Sequence, residues 1–97
     1  MEYDFEWDHN KAKLNTSKHG ISFELATEVF LDPAALSTFD EDHSEKEDRW
    51  VTLGRTKDGL YLVVVHTFNE YDEDTVTIRM ISARKATGRE IRQYEGK

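Results

Sequence analysis

The stretch from residue 50 to residue 83 constrains this chain more than any other, because its hydrophobic period is two. Trp50 to Arg55 puts Val51 and Leu53 on one face, and Thr75 to Ala83 puts Val76, Ile78 and Met80 on one face. Between them, Leu60 to Phe68 is apolar on both faces, the pattern of a central strand. Lys57-Asp58-Gly59 separates the first two runs, and Asp-Gly suits the positive φ angles of a type I′ hairpin. Asn69 to Asp74 reads as a polar loop before the last strand. Leu36 to Asp40 reads as a further strand, and Phe5 to Trp7 as a short first one. Successive strands joined by short polar turns predict an antiparallel meander with Leu62, Val64, Ile78 and Met80 buried.

Such a sheet needs helical cover. Asp8 is placed to N-cap a polar helix over residues 9–19, and Gly20 to end it in the left-handed conformation. Ser22 caps a second helix, residues 23–31, whose Phe23, Ala26, Thr27 and Phe30 share one face until Asp32-Pro33 stops it. Thr87 and Glu90 have capping-box spacing and predict a last helix over 88–95, with Ile91 and Tyr94 turned inward. The predicted fold is α+β, one domain over residues 1–97, with a mainly antiparallel sheet of four to five strands in the order β-α-α-β-β-β-β-α.

Composition removes several function classes. With no cysteine among its 97 residues, the chain has neither a disulfide framework nor a thiolate zinc site. No metal-type histidine or carboxylate spacing, phosphate-binding glycine loop or Gly-x-Ser-x-Gly elbow occurs, so no metal and no cofactor is expected. The acidic start Met1 to Glu6 is unlike a secretory signal, and the longest apolar run, Leu60 to Val65, falls far short of a membrane span of roughly 20 residues. A soluble, cytoplasmic protein without membrane partners is therefore expected. Charge is uneven: residues 1–74 carry 7 Lys/Arg against 18 Asp/Glu, a balance of −11, whereas residues 75–97 carry 6 against 2, a balance of +4. That basic end admits a polyanion, and the acidic body admits a basic protein segment.

The sharpest chemical feature lies in Arg79 to Thr87. Alternation aims Arg79 away from Ile78 and Met80, and an unpaired guanidinium inside a sheet is costly. It either pairs with a carboxylate or opens onto a groove. Arg84, Lys85 and Arg89 follow at the strand end and helix start, where they form either a phosphate seat or a solvated basic end. Strict alternation separates Arg79 from Arg84, so a shared anionic site requires the strand to end or bend near Ser82-Ala83. His66 shares the face of Leu62 and Val64 and is either a hydrogen-bonded core residue or a proton carrier. His43 lies in the acidic stretch 40–45, and His9 and His19 sit at opposite ends of the first helix.

Taken together, several stretches resemble the BrnT family of bacterial type II toxins. They are Phe5-Glu6-Trp7-Asp8, Asn15 with Lys18-His19-Gly20, and Ser22-Phe23-Glu24. Val29-Phe30 with Asp32-Pro33, His43-Ser44 ahead of Arg49-Trp50, and Leu53-Gly54 continue the match. Ile81 to Thr87 and Glu90 with Tyr94 complete it, so it spans residues 5–95. The resemblance implies a RelE-like fold and an endoribonuclease that inhibits translation. It implies neutralisation by a BrnA-type antitoxin with a ribbon-helix-helix part, through which alone the pair reads operator DNA. It also assigns the candidate residues to attack of a ribose 2′-oxygen on the adjacent phosphate. Arg79 and Arg84 would stabilise the phosphate, with Arg49 and Arg55 adding to it and Lys85 and Arg89 holding RNA. His66, His43 or the Lys18-His19 pair would move protons, and the sequence does not choose among them. Two other readings stay beside the ribonuclease: an inactive toxin-like protein that only binds an antitoxin, and a stand-alone RNA- or protein-binding module.

Overall fold

The structure, a computed structural model, describes residues 2–70 and 72–96. The strands are β1 (Glu2–Glu6), β2 (Leu36–Phe39), β3 (Trp50–Arg55), β4 (Tyr61–His66), β5 (Asn69–Glu70) and β6 (Thr75–Lys85). They form one sheet in the order β1-β6-β4-β3-β2, with β5 also paired to β6. The helices are α1 (His9–His19), α2 (Phe23–Ala26), which continues as a 3-10 turn over Thr27–Leu31, and α3 (Gly88–Glu95).

The local signals at the helix ends act as expected. Asp8 Oδ1 accepts from the amides of Asn10 and Lys11, and Gly20 closes α1 at φ 71°. Ser22 Oγ accepts from the Leu25 amide. Thr87 and Glu90 form the reciprocal capping box at the start of α3. On the helix-covered face of the sheet, Leu62, Val64, Val76, Ile78 and Met80 are buried against Ile21, Phe23, Ala26 and Val29. Gly54 lets the 3-10 turn lie close to β3, since a Cβ there would stand 2.8 Å from Val29 Cβ.

Four expectations need correction. The sheet has six strands rather than four or five, because Asn69–Glu70 pairs with Thr77 and Val76 instead of forming only loop. The first strand spans Glu2–Glu6 and joins β6 in parallel, Phe5 beside Ile78, so the sheet is mixed rather than a meander alone. Parallel pairing between chain-distant strands leaves no local sequence signal. The second helix tightens to 3-10 after Ala26, where β-branched Thr27 and Val29 approach Asp32-Pro33. The β3–β4 connection is a five-residue loop, not a two-residue type I′ turn. Pairing ends at Arg55 with Tyr61, and of the two turn residues only Gly59 has positive φ, 90°.

The parity of β6 changes along its length. His66 pairs with Met80 but Val65 pairs with Ser82, so Ile81 is the extra residue of a β-bulge. Before it even-numbered residues face α1 and α2, and after it Ala83 does. Arg79 and Arg84 therefore emerge on the same face, without the strand ending between them. Beyond Arg79 β1 no longer covers the β6 edge, and α1 takes over. Asn15 donates from Nδ2 to the Ala83 carbonyl at 2.9 Å and accepts from the Ala83 amide at 3.0 Å, as a neighbouring strand would.

Candidate functional site

Arg79 sits mid-strand and a third of its side chain is accessible. Its guanidinium donates to Glu47 Oε2. Arg49, just before β3, approaches the other oxygen of the same carboxylate, Nη2 to Oε1 at 3.8 Å. Two cations thus share one anion and leave the cluster a net positive charge. Lys11 of α1 adds to the field at Glu47. The Arg79 hydrogen bond, ahead of the charges of Arg79, Arg49 and Lys11, holds the Glu47 carboxyl below its usual range. Among the described residues, Arg49 Nε is buried without a hydrogen-bond partner. A buried cationic donor with no partner is costly, and its arrangement around a displaceable carboxylate suits an anion that brings more acceptors.

His43 lies beside this cluster. A depression of about 260 Å³ is lined by Asp42, His43, Glu45, Lys46, Glu47 and Arg49. The His43 ring hydrogen-bonds through Nδ1 to Asp40 Oδ2 at 2.9 Å, which leaves Nε2 at an exposed position. A carboxylate that orients an imidazole is the arrangement of a proton-transferring histidine.

The remaining sequence candidates lie elsewhere. Arg84 makes a two-pronged ion pair with Glu90, at 2.8 and 3.0 Å. That pair, ahead of the Thr87 backbone bond, lowers the Glu90 carboxyl to about 2. Arg79 and Arg84 share a face but engage different carboxylates. Five residues of strand also separate them by roughly 16 Å. Lys18 and His19 line a depression of about 200 Å³ beside Ile81 and Ser82, between the two arginines along β6. Arg55 lies over the Tyr61 ring at 5.2 Å, near Tyr94, whose hydroxyl donates to Asp32 at 2.7 Å. Lys85 and Arg89 are exposed.

His66 is buried on the helix-covered face. Nδ1 lies 2.9 Å from the Thr67 carbonyl and must donate to it, so neutral His66 accepts at Nε2 from Thr52 Oγ1 at 2.7 Å. Thr52 has then used its only proton, and Ser37 donates to Thr52 at 2.8 Å. Burial holds the His66 imidazole below its ordinary value of 6.5. The unfolded chain therefore takes up this proton near its ordinary value while the folded chain does so only at lower pH. Stability from this site is greatest above pH 6.5 and is lost as pH falls towards the folded value. The melting temperature is expected to drop from about pH 7 towards pH 5, with a shallower slope in His66→Gln. Equal slopes would show that His66 does not titrate as its burial requires.

Sequence reasoning missed Glu47, which lies in a solvated-looking charge run and shows its role only through the arginines that reach it. It also missed Ser37 and Thr52, because cross-strand side-chain pairs have no signature along the chain.

A small mixed sheet with α1 and α2 on one face, α3 against Tyr61 and Arg84 on the other, and paired arginines at one end defines the class: a small α+β protein. The family described as "Ribonuclease toxin, BrnT, of type II toxin-antitoxin system" matches residues 7–90, and the chain belongs to it. Its structure is similar to the 1.1 Å crystal structure of the Brucella abortus ribonuclease toxin BrnT. The TM-score is 0.56 and the identity 25%, over 90% of this chain and 99% of that one. No curated protein matches. No helix among the described residues is long and apolar enough to cross a membrane.

Proposed function

We propose that this chain is an endoribonuclease toxin whose reaction centre is the Arg79–Arg49 pair. The single observation that carries this reading is the convergence of both guanidinium groups on the Glu47 carboxylate, in a member of a ribonuclease toxin family. A scissile phosphate takes the place of that carboxylate. The ribose 2′-oxygen attacks phosphorus, the bond to the 5′-oxygen breaks, and the products are a 2′,3′-cyclic phosphate and a 5′-hydroxyl. Arg79 and Arg49 stabilise the crowded, doubly charged phosphorus centre. His43, oriented by Asp40, moves a proton at Nε2. Arg84 holds Glu90 and the start of α3, and Lys18, His19, Lys85 and Arg89 line the path of the RNA. The fold reads as RelE-like, and cleavage inhibits translation.

The partner in this reading is a BrnA-type ribbon-helix-helix antitoxin. The balance of −11 over residues 1–74 attracts its basic segment. It also repels duplex DNA, so operator binding requires the antitoxin. The arginines supply the positive charge, and no group of three metal-ligating side chains occurs among the described residues. The purified chain is expected to cleave single-stranded RNA in EDTA, to leave 2′,3′-cyclic ends, and to stop when the antitoxin is added. Intact RNA under conditions where the chain is folded and binds the antitoxin would instead support the inactive, antitoxin-binding reading.

A further inference from the structure

A cavity of about 340 Å³ opens on the helix-covered face, at the same end of the sheet as the arginine pair. Its walls include Tyr3, Phe30, Trp50 and Phe68, and its polar side is Ser37, Thr52 and His66, with Asp32 also in the lining. Phe30 packs edge-on to the His66 ring at 4.8 Å, which makes the inner wall rigid. Trp50 is braced by Phe39 at 5.3 Å, and Phe68 and Phe39 are partly exposed.

The hydrogen-bond order on the polar side has a consequence for a ligand. Thr67 accepts from His66, His66 from Thr52 and Thr52 from Ser37, so every proton of the chain is committed inward. Ser37 Oγ is left with lone pairs and no proton to offer. The cavity therefore presents flat aromatic surface and a hydrogen-bond acceptor, which suits a planar ring that carries an N–H. Arg49 immediately precedes Trp50 at the start of β3, so its cation, directed to Glu47 on the Arg79 side of the sheet, stands one residue along the chain from the wall of this cavity.

We infer that this cavity is a nucleobase subsite: one base of the RNA strand leaves its stack, lies against Trp50, and donates an N–H to Ser37 while its phosphate engages Arg49. The inference rests on the ribonuclease reading for the identity of the strand, and it adds the part of the molecule that holds the base. Bases with an exocyclic amine or ring N–H at the Ser37 position bind, and base-aromatic stacking supplies most of the affinity. An apolar side chain of a protein partner would fill the aromatic part and leave the Ser37 acceptor unmet.

The test is NMR titration of the isotope-labelled chain with each of the four nucleoside 3′-monophosphates, with inorganic phosphate as control. Saturable shifts are expected at the Trp50 indole N–H, Ser37 and Thr52, with unequal affinities among the four bases, whereas phosphate alone moves the Arg49 and Arg79 signals. Trp50→Ala weakens binding at least about tenfold, and Trp50→Phe, which keeps a flat ring and guards against misfolding, retains most of it. Cavity signals unmoved by all four nucleotides at millimolar concentration overturn the inference, whatever happens at the arginines. So do cavity signals that move only with the antitoxin. RNA cleavage without cavity shifts leaves the ribonuclease reading intact while removing the subsite. Cavity shifts without cleavage do the reverse.

Discussion

Arg79→Ala is expected to lower RNA cleavage by about a hundred- to a thousandfold, the loss of roughly 2–4 kcal/mol that follows removal of one positioned charge stabiliser. The physical case is that Arg79 leaves β6 on the face away from the core, with its head at Glu47 and a third of its side chain accessible. Exposed ion pairs contribute little to stability, so the melting temperature should stay close to that of the parent. Glu47→Gln is the counterpart. It removes the internal anion but keeps the shape, so Arg79 and Arg49 meet a phosphate without first losing a partner. RNA affinity should rise while Arg79→Ala loses it. A stable Arg79→Ala chain with full activity would remove the proposed centre. An unfolded one would make Arg79 a structural partner of Glu47.

Asn15→Ala is expected to be the most damaging single change to the fold away from the apolar core. Asn15 is buried although it lies on a helix whose other residues are at least partly exposed. Its side chain donates to the Ile21 and Ala83 carbonyls and accepts from the Ala83 amide, all between 2.9 and 3.0 Å. Alanine leaves buried backbone groups at the β6 edge without partners, each costing about 1–3 kcal/mol. A total of about 3 kcal/mol corresponds to a fall of roughly 10–20 °C in melting temperature for a domain of this size. Loss of protection of the Ala83 amide in hydrogen exchange would locate the damage. A melting temperature within about 3 °C of the parent would mean that water replaces the amide group at that edge.

The two changes act on the same strand through different chemistry, and the bulge at Ile81 connects them. It sets Arg79 and Arg84 on one face while Ala83 turns to the helices, where Asn15 holds its backbone. Removing Asn15 is therefore also expected to disturb the β6 path, with cleavage reduced less than by loss of Arg79.

What the amino-acid sequence determined by itself was whatever depends on neighbours along the chain. The run of residues 60–68, apolar on both faces, and the alternation in residues 75–83 set the two central strands and the burial of Leu62, Val64, Ile78 and Met80. Asp8, Gly20, Ser22, Thr87 and Glu90 set the helix ends, since a cap bonds to amides only two or three residues away. The same alternation aimed Arg79 away from the core. Only the tertiary structure decided which distant groups met. The parallel docking of β1, the bulge that reversed the parity of β6 and the Ser37–Thr52–His66 chain each join residues far apart in sequence. Pairing of Arg84 with Glu90, and of Arg79 and Arg49 with Glu47, likewise required the folded sheet. A carboxylate in an acidic stretch has no local mark that distinguishes it from its neighbours. Its charge acquires a role only when folding brings two guanidinium groups within reach, because ion-pair attraction depends on distance in space rather than on spacing along the chain.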